Sequence, residues 1–361
     1  MRVYCGFDPR TSDLHLGHTV PMRKLRQFQE LGHEVTFIVG SYTSLIGDPS
    51  DKDKLRPRLT QQEVEYNART YAEQAYKILD RDKTRIRFNS EWLSELTFAE
   101  LIELASNFTL QQFITRENFR KRWENGDPIY LHETFYALMQ GYDAHELKTD
   151  VQVGGTDQLF NIVTAARKVM TSFGDKPNIA IILGILPGTD GEIKMSKSLG
   201  NHIPLLSSPE NMYGKIMSVP DKAMGSFMRL VTRWTPGRIA KVETGLQSGK
   251  LHPRDVKMSL AREIVSIFNT DEDAVKAEDA FKKVFQQKDI PDDMPGYALK
   301  PGQTVLEVLM AAGLVSSKSA GRRMVEQKGV RLDGEVLETF DAPFPHPGVL
   351  QVGKRHFFRV T

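Results

Sequence analysis

Tyr4-Cys5-Gly6-Phe7-Asp8-Pro9, running on to His15-Leu16-Gly17-His18, decides the fold. Val3 to Phe7 reads as a short apolar strand. Leu16, Val20, Leu25, Phe28 and Leu31 recur near helical spacing and stop at Gly32. A strand, a short turn and a helix start make a ready anion site, because free backbone N–H groups and the helix dipole face the ligand. Gly17 lets a flat base or a phosphate approach the backbone closely. His15 and His18 are spaced to donate hydrogen bonds to phosphate oxygens whose charge grows in a transition state. Alone, the four residues also fit an incidental string, and metal ligation by two such histidines needs further ligands. Pro21 is expected to be tolerated as a residue near the first helical turn.

Outward from this unit the first half alternates strand and helix patterns, the mark of an α/β parallel sheet with crossover helices. Val35 to Val39 reads as a buried strand. Thr60 with Glu63, and Thr97 with Glu100, are capping-box pairs, the first opening a helix to about Leu79. Val151 to Val153 runs into the Gly154-Gly155 turn, a helix is expected from Asp157, and Ile179 to Leu186 reads as another central strand. A second motif, Lys194-Met195-Ser196-Lys197-Ser198, lies among Gly188, Gly191 and Gly200 and reads as a mobile loop. Two lysines on such a loop can close over a leaving pyrophosphate, although a solvated basic loop has the same composition.

Beyond Lys197 the texture becomes helical. Ser208-Pro209 and Thr235-Pro236 open helices with proline at the first position, and helical patterns fill Val256 to Phe268 and Ala274 to Phe285. Pro291 to Gly296 and Lys300-Pro301-Gly302 read as linkers. The last segment holds a short helix at Val305 to Ala312 and a basic one over Ser316 to Val325. A strand and turn follow at Gly329 to Gly334, with a final strand at Phe357 to Val360. The expected domains are 1–206 with an insertion at about 90–150, an all-helical 207–296, and a small α+β 301–361.

The 361 residues exceed one ordinary domain. A net charge of +2 excludes a global field for nucleic acid, so any RNA surface must be a local patch. The single cysteine, Cys5, excludes an internal disulfide and a multi-cysteine zinc site. No apolar run reaches membrane-spanning length, and Met1 lies too near the first strand for a targeting segment.

With Gly154-Gly155-Thr156-Asp157-Gln158 between them, the two motifs resemble the signatures of class I aminoacyl-tRNA synthetases, and the residues around them resemble the tyrosyl branch. The resemblance covers essentially the whole chain. It implies a Rossmann-like catalytic domain, a helical anticodon-side domain and an S4-like RNA-binding domain. It further implies ATP with Mg2+, tyrosine and tRNA(Tyr) as reactants and a cytoplasmic homodimer that meets its partner around 90–150. Neither bound zinc nor an organic cofactor is implied.

Residue by residue, the resemblance implies catalysis by His15, His18, Lys194 and Lys197. Tyr4 and Asp143 would meet the substrate phenol, and Asp8 the substrate or adenylate side. Asp48, in Leu45-Ile46-Gly47-Asp48-Pro49-Ser50, would lie near the α-ammonium with Tyr136 and Gln140, and Gln158 at the carboxylate. Spacings of four and three put Tyr136, Gln140 and Asp143 on one helix face, which a polar seam on a surface helix would also show. Cys5 and Asp157 would meet the ATP ribose, with Gly6, Gly17, Gly155, Met195 and Ser196 beside the nucleotide. Without the family, Cys5 reads as a small buried hydrophobe. Arg322, Arg323, Lys328 and Arg331 would present a basic strip to RNA, or form the solvated face of a small cap.

Phenylalanine would leave Tyr4 and Asp143 buried and unpaired, which is the basis expected for selecting tyrosine. Two other readings share these residues: a tryptophanyl ligase, and a non-catalytic RNA-binding or splicing factor on the same scaffold. The chain departs from the family pattern by opening directly on the first catalytic strand, and by carrying Arg10, followed by Thr11, where threonine is usual.

Overall fold

The computed structural model describes residues 1–9, 11–49, 60–283, 294–315, 317–353 and 356–361. Arg10, Ser50, the linker residues 291–293 and Ser316 lie outside the described residues. The chain forms two compact units, 1–274 and 275–361.

The first unit is built on five strands: β1 (Arg2–Phe7), β2 (Glu34–Val39), β3 (Thr84–Phe88), β4 (Val151–Gly155) and β5 (Ile179–Leu183). They pair in the order β3-β2-β1-β4-β5, all parallel, with Tyr4 opposite Thr36 on one side and Gln152 on the other. Connections from β1 run first to one side and later to the other, so a crevice opens past the carboxyl ends of β1 and β4. β5 is an edge strand rather than a central one, and ends at Leu183; Ile179 is 60% exposed.

Helix Leu16–Glu30 follows β1 and buries Leu16, Val20, Met22 and Leu25. Pro21 lies inside this helix, beyond the first turn. A proline there cannot donate to the carbonyl four residues back, that of Gly17. The Thr60–Glu63 capping box is formed and opens Gln61–Ala75, while Thr97 and Glu100 cap Phe98–Ser106. The helix expected from Asp157 begins instead as a 3-10 turn, Thr156–Gln158, and continues as a π-helix, Phe160–Ala166, before Arg167–Ser172.

In the insertion, Glu133 anchors helix Leu131–Glu146. Its carboxylate takes two bonds from the buried Arg122 guanidinium, at 2.6 and 2.8 Å, and one from the Tyr130 N–H at 2.9 Å. Helices Pro209–Met217 and Pro253–Phe268 join through the Tyr213 hydroxyl, which donates to the Met258 carbonyl at 3.4 Å. Arg23 of the first helix donates to the Thr232 carbonyl, so this bundle packs within the first unit.

The second unit holds a five-stranded sheet in the order β6-β10-β9-β7-β8. The strands are β6 (Gly296–Tyr297), β7 (Val330–Leu332), β8 (Glu335–Val336), β9 (Gly348–Val352) and β10 (His356–Val360). Gly296, read as linker, is therefore part of a strand. Val305, Val308 and Leu309 of helix Val305–Ala311 pack with Val325, Val330, Leu350 and Val352 into one core.

Candidate active site

A cavity of about 480 Å³ opens at the carboxyl ends of the first sheet. Every residue assigned by sequence to catalysis, to tyrosine or to ATP lines it. From β1 and its loop come Tyr4, Cys5, Gly6 and Asp8, and from the helix start His15, Gly17 and His18. The β2 loop supplies Asp48, helix Leu131–Glu146 supplies Tyr136, Gln140 and Asp143, and the turn after β4 supplies Gly155, Asp157 and Gln158. Lys194, Met195, Ser196 and Lys197 close the remaining side. A larger hollow of about 780 Å³ among Arg23, Lys77, Arg233 and Trp234 contains none of these residues. The smaller one is therefore the candidate site.

His15 is the N-cap of its helix. Its ring Nδ1 accepts from the Gly17 N–H at 3.2 Å, and its own backbone N–H donates to His18 Nδ1 at 3.1 Å. Burial, reinforced by neighbouring cations, holds His15 well below the usual imidazole range and His18 at about 4. Both rings are neutral at pH 7. With each Nδ1 occupied as an acceptor, the single proton of each ring sits on Nε2 as a donor. The ring centroids are 3.9 Å apart, and a Cβ on residue 17 would fall 3.0 Å from the His15 ring. A side chain there would press the His15 ring out of its place.

The loop of the second motif makes backbone hydrogen bonds to its surroundings. Met195 is buried and its N–H donates to the Leu186 carbonyl at 3.0 Å, while the Ser196 N–H donates to Asn201 at 2.8 Å. Lys194 pairs with Asp157 and Lys197 with Asp13, each at 2.6 Å. Both lysines thus pair with carboxylates, and Asp157 is the one expected to meet the ribose.

The tyrosine end is a set of shared hydrogen bonds. Asp8 accepts from Thr43 at 2.8 Å and from Tyr136 at 3.0 Å. The Tyr4 hydroxyl donates to the Gln140 carbonyl at 3.3 Å; burial and then the Asp143 charge push this phenol well above its ordinary range. Asp143 is buried and accepts from the Trp92 indole at 2.8 Å and the Asn89 amide at 3.3 Å. Burial raises its carboxyl to about 7, against the pull of those two donors. Burial pushes the Cys5 thiol up, so it stays protonated. Asp48 accepts from Gln158 and faces the buried Arg116 guanidinium at 3.9 Å.

Sequence reasoning did not single out Thr43 and Asn89, which also line the cavity, or Trp92, Arg116 and Asp13, which contact Asp143, Asp48 and Lys197. The signal for Asn89 was its place just past a strand's carboxyl end, and for Asp13 its place in the loop before His15. Arg116 and Trp92 carried none.

A family model described as tRNA synthetases class I (W and Y) matches residues 1–286. The chain belongs to that family. The tyrosine–tRNA ligase of Moorella thermoacetica is 49% identical over 100% of this chain and 88% of its own length. That of Thermotoga maritima is 47% identical, over 100% and 90%. Among solved structures, the tyrosyl-tRNA synthetase of Archaeoglobus fulgidus complexed with L-tyrosine aligns with a TM-score of 0.61 at 23% identity, covering 77% of this chain and 90% of that one. The Plasmodium falciparum tryptophanyl-tRNA synthetase aligns with a TM-score of 0.57 at 13% identity, covering 77% and 76%. Those structures speak for the family's Rossmann-like fold alone.

In the second unit Arg322, Arg323, Lys328 and Arg331 are all exposed. Arg322 lies over the Phe340 ring at 5.2 Å, and Arg331 donates to the Gly334 carbonyl at 3.2 Å. Lys328 has φ 57°, a left-handed turn leading into β7.

Proposed function

We propose that this chain is a tyrosine–tRNA ligase. It joins tyrosine and ATP into tyrosyl-adenylate and then passes the tyrosyl group to the 3′ end of tRNA(Tyr). The relatives that match its whole length at 49% and 47% identity are tyrosine–tRNA ligases, which carries the reading over the tryptophanyl alternative that shares the fold. The assembled cavity argues against a non-catalytic scaffold.

In the first step a tyrosine carboxylate oxygen bonds to the α-phosphorus, the bond to the bridging oxygen breaks, and pyrophosphate leaves. No side chain needs to become covalently attached. The Nε2–H groups of His15 and His18 and the ammonium groups of Lys194 and Lys197 receive the charge that grows on the phosphates. Gln158 and Asp48 hold the carboxylate and ammonium, and Asp143 with Tyr4 meets the phenol. Asp157 exchanges Lys194 for the ribose hydroxyls. In the second step a terminal ribose hydroxyl of the tRNA attacks the acyl carbon and AMP leaves. Magnesium enters with ATP, since it binds through substrate phosphates with few protein ligands.

The second unit is the RNA-binding part, with Arg322, Arg323, Lys328 and Arg331 against the backbone; the reaction with tRNA implies a cytoplasmic setting. The protein acts as a homodimer through the insertion, where Phe98, Trp123 and Leu131 are 78%, 62% and 71% exposed. Sedimentation of a compact active monomer would overturn the dimer. The function is tested by ATP–pyrophosphate exchange with tyrosine, tryptophan and phenylalanine in parallel. Exchange with tyrosine alone is expected.

A further inference from the structure

Asn201 is 7% exposed, does not line the cavity, and yet holds the backbone on both sides of Met195, which does. Its amide oxygen accepts from the Ser196 N–H at 2.8 Å. Its NH2 donates to the Asp190 carboxylate and faces the carbonyls of Ile193 and Lys194 at 3.5 and 3.3 Å. A backbone N–H only donates and an ionised carboxylate only accepts, so these partners fix which end of the amide faces which. Asp190 is itself held, accepting from the N–H groups of Glu192 at 2.8 Å and Ile193 at 2.7 Å. Burial would raise its carboxyl, but those two N–H groups and the Asn201 amide outweigh burial and keep it below the usual carboxylate range.

The backbone around Asn201 is shaped to receive its side chain. Residues 186–188 and 193–195 run antiparallel, with the Met195 N–H on the Leu186 carbonyl at 3.0 Å and the Gly188 N–H on the Ile193 carbonyl at 2.8 Å. The Thr189 N–H donates to the Asn201 carbonyl at 2.8 Å. A Cβ on residue 188 would fall 2.3 Å from the Asn201 amide, so a side chain there would displace it. Residues 196–200 leave this ribbon and return at Asn201; Lys197 lies on that excursion and Lys194 at its root. Just beyond, the Leu16 N–H donates to the Ile203 carbonyl at 3.0 Å and the Leu205 N–H to the Leu14 carbonyl at 2.9 Å, on either side of His15. One buried amide thus ties together the backbone of both lysines where the chain meets the histidine segment.

We propose that Asn201 is a positioning residue for the leaving pyrophosphate, setting the placement of Lys194 and Lys197 on the phosphates through the backbone between them. This rests on the reading of the chain as a tyrosine ligase. Removing the Asn201 amide leaves the Ser196 N–H without its acceptor and the buried side of Asp190 without a donor, while both lysines keep their charge. Pyrophosphate takes part only in adenylate formation and its reversal, so the loss belongs to those two reactions. Tyrosine binding, and transfer from the adenylate to tRNA after pyrophosphate has gone, do not depend on it.

The test is Asn201→Ala, with Asn201→Asp as a second variant, in single-turnover kinetics of the full chain. Asn201→Asp keeps an acceptor for the Ser196 N–H but sets a carboxylate against Asp190. The rate of adenylate formation is expected to fall roughly ten- to a hundredfold. The pyrophosphate dissociation constant in the reverse reaction should rise about tenfold. The tyrosine dissociation constant, and the rate of transfer from preformed adenylate to tRNA, should stay within about twofold. Adding Asp190→Asn to Asn201→Asp restores an amide facing a carboxylate and should recover most of the adenylation rate. Equal losses in tyrosine binding or in transfer, a double variant that recovers nothing, or loss of folding in both single variants would each overturn the proposal. Wild-type protein that forms no adenylate from tyrosine defeats the functional reading. Wild type that forms it, beside an unaffected Asn201→Ala, defeats the positioning role alone.

Discussion

The indole N–H of Trp92 donates to Asp143 at 2.8 Å, holding a buried carboxyl that burial has already raised to about 7. Trp92→Phe removes the shorter of its two donors, so the carboxyl becomes harder still to ionise. The tyrosine KM in pyrophosphate exchange should rise about tenfold at pH 7 and recover as pH is raised through 8. An increase that is independent of pH would assign Trp92 to packing alone.

Asp143 and His18 load the pH dependence of stability with opposite signs. Between about pH 4 and 7 the folded protein holds a proton on Asp143 that the unfolded chain has lost, so stability falls as pH rises. Between about 4 and 6.5 the unfolded chain holds a proton on His18 that the folded protein excludes, so stability rises with pH. His15, likewise held well below its ordinary range, adds to the rise. Asp143→Asn should make the melting temperature climb more steeply with pH than in the wild type, and His18→Gln should make it climb less steeply. Parallel curves for all three proteins would contradict both assignments.

His18→Ala should lower the rate of adenylate formation about a hundredfold, the usual cost of one preorganised donor, while equilibrium tyrosine binding is unchanged. Because its ring titrates near 4, the wild-type rate should show no inflection from this residue between pH 5 and 8. Stopped-flow single turnover separates the two quantities. A matched loss in binding would remove the transition-state role.

Gly141→Ala places a methyl group against Val169 and the Ala165 carbonyl. Overpacking of this kind costs about 1–3 kcal/mol, which should appear as a lower melting temperature. It also pries Gln140 from the Asn161 amide that donates to it at 3.0 Å, so the tyrosine KM should rise while the ATP KM holds. Unchanged kinetics with lowered stability would confine the glycine to packing.

Reversing Arg322 and Arg323 to glutamate should leave pyrophosphate exchange intact and raise the tRNA KM in aminoacylation. The salt dependence of tRNA binding should flatten by about 0.7–0.9 per lost phosphate contact. Impaired exchange would show that these residues serve the fold.

The cavity was legible in sequence wherever a motif leaves a strand at its carboxyl end. There the residue types form local patterns, as in His15 to His18 and Gly154 to Gln158. Residues acting through another residue were not legible. Trp92 meets Asp143 across 51 positions of chain, and nothing in its own neighbourhood signals a carboxylate. Ile179 to Leu186 was read as central because an apolar run looks the same in an edge strand that is only half covered. The π-helix escaped because its period has no compositional mark, and β9 because Gly348 to Val352 is short, although Pro347-Gly348 before it and Gly353 after it are turn signals. Pro21 was placed one turn too early, since a proline whose helix tolerates an unpaired carbonyl looks like one that needs none.

All the ligand-facing loops leave the first sheet at its carboxyl edge, and the opposite edge is closed by tight returns. Gly32 and Gly174 adopt φ of 78° and 75°, and Lys148 of 47°, just before β2, β5 and β4. Leu31 is 73% exposed beside the first of them. Those returns are where the chain has room to be cut, rejoined or lengthened. A circular permutant or a fused reporter domain opened at Leu31–His33 would leave every ligand-facing loop untouched, whereas the same insertion after Phe7 or Gly155 would land on the nucleotide.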